Sequence, residues 1–136
     1  MCKRWVSPTS ILGVGYPNIP LYVPTEGGAR LVRLYSLTSS YIYAITKIVC
    51  RDTGSDNRLE INVILSEIGH IFFEKITGTP NNVKFYKDNA YLYVLFPRYG
   101  NATMTYVGGS AYSTGLIGGV IMPSADVSGM TEVVVP

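Results

Sequence analysis

Leu59-Glu60-Ile61-Asn62-Val63-Ile64-Leu65-Ser66 is the stretch that decides the fold class. Leu59, Ile61, Val63 and Leu65 recur at every second position, with Glu60, Asn62 and Ser66 between them. Successive side chains of a strand point to opposite faces, so this spacing predicts a half-buried β-strand.

Upstream, Tyr41 to Arg51 carries the same period. Ile42, Ala44, Ile48 and Cys50 fall on one face, and Tyr41, Tyr43, Lys47 and Arg51 on the other. Arg30 to Leu37 predicts another strand, with Val32 and Leu34 opposite Arg33 and Tyr35. Downstream, Ile68 to Ile76 follows, then Val83 to Tyr86 and Ala90 to Phe96. Lys87-Asp88-Asn89 separates the last two, and Asp and Asn suit a tight hairpin. In its second arm Leu92, Val94 and Phe96 face one way, and Tyr91, Tyr93 and Leu95 the other. Ala102 to Val107, Leu116 to Met122 and Thr131 to Val135 complete the set. No segment shows helical periodicity. Eight or nine short strands with regular turns predict an all-β fold, an antiparallel β-sandwich or jelly roll.

Residues 1–28 read differently. Pro8, Pro17, Pro20 and Pro24 recur with Gly13, Gly15, Gly27 and Gly28, which predicts an extended N-terminal arm. A short edge strand is expected at Pro20 to Val23, and the sandwich occupies residues 29–136.

Composition narrows the function classes. Hydrophobic residues make up 47% of the 136 residues and charged residues 15%, which excludes a disordered chain. The net charge of +2, without like-charged runs, gives no footprint for nucleic acid. The apolar stretches fall short of the roughly 20 residues that span a bilayer, so no membrane insertion is expected. Met1 to Pro20 lacks the apolar core of a secretion signal. Cys2 and Cys50 stand far apart, and Cys50, in an apolar run, reads as a small buried hydrophobe.

Catalytic and metal-binding patterns are weak. His70, the single histidine, sits between Gly69 and Ile71 and reads as structural. One histidine and two dispersed cysteines do not make a zinc site. Asp52 to Asn57 resembles the start of a calcium loop, but its glycine is misplaced and Val63 stands where the loop needs glutamate. The glycine pairs open no helix and make no phosphate loop. No cofactor, metal or catalytic residue is therefore assigned, and the chain is expected not to be an enzyme.

The 11 tyrosines are the remaining candidates. Tyr41, Tyr43, Tyr91 and Tyr93 fall on faces opposite the inferred core, and Tyr99 and Tyr106 lie near strand ends. A tyrosine offers an apolar face and a hydroxyl, which suits protein interfaces and sugar stacking. These six are the expected interface or glycan contacts.

Three segments, Ala29 to Tyr35, Tyr41 to Arg51 and Leu59 to Leu65, together with Asn82-Val83-Lys84-Phe85-Tyr86-Lys87-Asp88-Asn89-Ala90-Tyr91-Leu92-Tyr93-Val94, resemble the C-terminal head domains of bacteriophage fibres. There a V-K-F-Y strand turns at D-N or D-G into a Y-L-Y-V strand. The resemblance covers about residues 29–110 and rests on pattern. It implies a jelly roll like that of tumour necrosis factor, assembled as a homotrimer in a virion. It also implies attachment to a bacterial surface polysaccharide, contact with other virion proteins through the arm, and no catalytic residues. The chain departs from those heads in having only residues 1–28 before the sandwich, in place of a long shaft. The alternatives are a monomeric carbohydrate-binding or adhesin module of a bacterial cell-surface protein, and a carboxylate-based glycan hydrolase.

Overall fold

The computed structural model describes residues 20–37, 42–52, 58–66, 70–78, 83–98, 100–111 and 119–135; residues 20, 42–43, 52, 100–101 and 106–111 are described by backbone alone. The alternating stretches form strands as expected. Among the described residues ten strands run in chain order: β1 (Pro20–Val23), β2 (Arg30–Ser36), β3 (Ile42–Asp52), β4 (Arg58–Ser66), β5 (His70–Gly78), β6 (Lys84–Lys87), β7 (Tyr91–Phe96), β8 (Gly100–Ala111), β9 (Val120–Ile121) and β10 (Thr131–Val133). Among the described residues there is no helix.

The strands build two five-stranded antiparallel sheets, ordered β1-β8-β3-β4-β5 and β10-β6-β7-β2-β9. In the first sheet β3, β4 and β5 follow one another, and β8 returns to lie beside β3. That order is a Greek key, common in β-sandwiches. The edge strand expected at Pro20 to Val23 is present and pairs with β8.

One core lies between the sheets. Ala44, Ile48 and Cys50 of β3 and Leu59, Ile61, Val63 and Leu65 of β4 meet Val32, Phe85, Leu92, Val94 and Phe96 of the second sheet. Burying such a Val, Leu, Ile or Phe side chain contributes about 1.5–3 kcal/mol. At one border Phe73 of β5 and Phe85 of β6 stack with ring centroids 4.7 Å apart.

Tyr35 departs from the expected alternation. The β2–β7 register shifts between Arg33 and Tyr35, so that Leu34 is an extra residue and Tyr35 turns inward. Such a bulge reverses which residues of a strand face the core. Tyr35 is fully buried, and its hydroxyl crosses the core to donate to the Val63 carbonyl (3.1 Å) and to share a hydrogen bond with the Thr46 hydroxyl, which can donate to it. It joins the two sheets by hydrogen bonds.

The connection from β9 to β10 has a consequence for the second sheet. These strands occupy its opposite edges, four strand spacings apart, or roughly 19 Å. Met122 N donates to the Leu31 carbonyl near one end, whereas Thr131 pairs with Lys87 near the other. Residues 122–130 extend to about 30 Å at most, enough for a diagonal. Since the core fills the inner side, the diagonal passes over the outer face. Leu31 and Tyr93 alternate with core residues and so point outward, yet they are only 2% and 5% exposed. A strap lying on them accounts for this. Its Ala125, Val127 and Met130 are half-buried, while Ser124, Asp126 and Ser128 are exposed. Local bonds shape it: Asp126 N donates to Ser124 Oγ, Ser128 N to Asp126 Oδ1, and Met130 N to the Val127 carbonyl. Gly129 supplies the positive φ of 83° that this last turn requires.

Candidate functional site

Both outer faces carry side chains that the core does not use. On the second sheet the register lines up Glu132, Tyr86, Tyr93, Arg33 and Val120 across all five strands. The Arg33 guanidinium lies over the Tyr91 ring, 4.4 Å from its centroid, and Tyr91 meets Tyr93 edge-on at 6.2 Å. Arg33 Nε is buried and has no hydrogen-bond partner among the described residues. Stacking on the ring gives this cation an attraction of roughly 0.5–2 kcal/mol.

Asp88 organises the end of this row. Its Oδ1 accepts from Ala90 N and Tyr91 N, both at 2.8 Å, and its Oδ2 accepts from the Tyr93 hydroxyl at 3.0 Å. The aspartate expected in the β6–β7 turn therefore works through its side chain, tying the turn and the outer tyrosine together. Burial pushes the Asp88 carboxyl up. The N–H groups of Ala90 and Tyr91 and the Tyr93 hydroxyl outweigh it and hold the group below its ordinary 3.8. Burial, then the hydrogen bond to Asp88, pushes Tyr93 up to about 12.

These shifts set a pH dependence. Asp88 is depressed, so its contribution to stability is present above pH 3.8 and is lost as pH falls through its folded value. Tyr93 is raised, so its contribution is complete below pH 10.0 and is lost between 10.0 and about 12, where the unfolded chain gives up its proton first. The stability difference between wild type and Tyr93→Phe, read from urea midpoints, should shrink as pH rises across that window. A constant difference would contradict the Tyr93–Asp88 bond.

The first sheet presents a different surface. Ile45 of β3, Ile64 of β4 and Phe72 of β5 stand side by side in register on its outer face. Phe72 is 56% exposed, and Ile76, the extra residue of a bulge opposite Glu60 and Ile61, is 51% exposed. The next rows are polar: Asn62 Nδ2 donates to Glu74 Oε1, and Glu60 lies 3.5 Å from Lys47 and 3.7 Å from Arg58. The other three sheet edges are strands of four, two and three residues, whereas β5 has nine. Unpaired backbone groups along so long an edge are a template for another strand.

The expected site residues fall unevenly on this geometry. Tyr91 and Tyr93 come together as an outward pair, with Tyr93 covered within its own chain. Tyr43 lies in β3 opposite Ser66, and Tyr106 lies in β8 opposite Thr46. Tyr41 and Tyr99, like Cys2, most of the arm, most of the turn at 52–57 and residues 112–118, lie outside the described residues. Cys50 is buried in the core, and His70 opens β5 on the exposed side. Among the described residues, no group of three His, Cys, Asp or Glu side chains is placed to hold a metal ion, and no helix is long and apolar enough to cross a membrane. Phe72, Ile76, Arg33 and Asp88 are the functional candidates that the alternation did not single out. A signal for the first two exists: β5 reads Ile71-Phe72-Phe73 and then Ile76, apolar on both faces of one strand.

Comparison with known proteins finds no matching family model, no matching curated protein and no matching solved structure.

Proposed function

We propose that this chain is a non-catalytic head module of a virion fibre. In this reading it assembles as a homotrimer through the outer face of its first sheet, and it attaches the particle to a glycan of the bacterial surface. The exposure of Phe72 beside Ile45 and Ile64, with exposed Ile76 further along the same strand, on the one long sheet edge among the described strands, carries the proposal. Large apolar side chains exposed together on one strand mark an interaction site. A second copy is the occupant that fits best. The polar rows beside the patch hold both signs of charge, Lys47 and Arg58 with Glu60 and Glu74, so they favour a partner equally mixed, as this chain is. Soluble assemblies are also most often homo-oligomers.

Two further observations support the reading. The segment that resembles fibre heads forms one hairpin, β6 to β7, with Asp88 fixing its turn. Asp88 itself, the carboxylate with the most developed surroundings among the described residues, is engaged in holding the structure. A trimer would also multiply weak sugar contacts into useful avidity.

Sedimentation equilibrium tests the assembly. A mass near three times 14.9 kDa is expected. A monomer at micromolar concentration would overturn the trimer and favour a monomeric adhesin module.

A further inference from the structure

We propose that the hollow between the β6–β7 turn and the end of the strap is a subsite for one uncharged sugar ring. The proposal rests on the attachment reading above and deepens it by placing the ligand. The hollow measures about 180 Å³ and is lined by Lys87, Asp88, Asn89, Gly129 and Thr131. Drug-sized ligands occupy roughly 300–1,000 Å³, so this space takes one small polar unit, such as one ring of a longer chain.

The lining matches the chemistry of vicinal hydroxyls, which both donate and accept. Lys87 donates, the Asn89 amide and the Thr131 hydroxyl do both, and the Asp88 carboxylate accepts. Asp88 is the fixed member. Hydrogen bonds from Ala90 N, Tyr91 N and the Tyr93 hydroxyl fix its carboxylate beside the hollow that it lines. A group held in place by its own chain loses little freedom on binding, which favours affinity.

Shape and charge agree. Gly129 lines the strap side of the hollow and has nothing within 4 Å of the position its Cβ would take, so no side chain fills that side. Lys87 and Asp88 offset one another's charge, which favours a neutral sugar over a charged one. The hollow also lies on the second sheet, apart from the apolar face assigned to assembly, so both surfaces are usable at once.

The test is a titration of the full-length, isotope-labelled chain with glucose, galactose, mannose, rhamnose and N-acetylglucosamine at millimolar concentrations, followed by amide NMR. At least one sugar should shift the amides of Lys87, Asn89, Gly129 and Thr131 saturably. Asn89→Ala with Thr131→Val should weaken that binding at least about tenfold while leaving the remaining spectrum in place. Equal affinity in the double variant, or no saturable shift at these amides with any of the five, would overturn the subsite. Shifts confined to another surface would also sink it while sparing the attachment reading. That reading falls separately if isolated capsular polysaccharide binds nowhere on the assembled protein.

Discussion

Replacing Phe72 and Ile76 together by lysine should abolish assembly and leave a folded monomer. Both side chains are more than half exposed in the single chain, so the monomer loses little packing. Substitutions at such positions usually change stability by about 0.5 kcal/mol or less. In the assembly the same positions would be desolvated. A buried unpaired ammonium costs several kcal/mol, and three copies bring six of them together. The association constant should fall by at least about a thousandfold, since each 1.4 kcal/mol is a factor of ten. Lysine is also a residue with which natural proteins keep edge strands from pairing. Sedimentation read beside the circular dichroism spectrum separates the outcomes. A trimer of unchanged mass would remove β5 from the interface.

Tyr35 should give the largest loss of fold stability. Tyr35→Phe removes the hydroxyl that reaches Thr46 Oγ1 and the Val63 carbonyl from the opposite sheet. Thr46 is itself buried, so losing this partner costs about 1–3 kcal/mol. Tyr35→Ala adds a cavity where a whole aromatic ring was enclosed, and about 3–5 kcal/mol is expected. Urea denaturation measures both. If Tyr35→Phe is as stable as wild type, the bond across the core contributes nothing and the inward placement of Tyr35 has another cause.

The contrast between Tyr35 and β4 shows what was legible in the sequence. Leu59, Ile61, Val63 and Leu65 alternate strictly, and each is buried as the period of two requires. β2 begins with the same alternation, but a bulge at Leu34 shifts the phase, and a bulge leaves no mark in the spacing of apolar residues. Strand partners were likewise out of reach. That β8 returns to β3, and that the strap crosses the second sheet, depends on contacts between residues distant in sequence. Tyr93 illustrates the effect on site prediction. Parity correctly places it outward, and only the crossing strap and the Asp88 bond turn that outward position into a covered one. Phe72 and Ile76 are the converse case. β5 is apolar on both sides, and only its place at a sheet edge leaves Phe72 and Ile76 exposed.

Hydroxyl-radical labelling of the assembled wild-type protein tests the central claim most directly. Within a single chain Phe72 is 56% exposed and Phe85 is fully buried. If a neighbouring copy covers β5, Phe72 will be modified as slowly as Phe85. Modification of Phe72 several times faster than Phe85, at concentrations where the protein is fully assembled, would contradict the account.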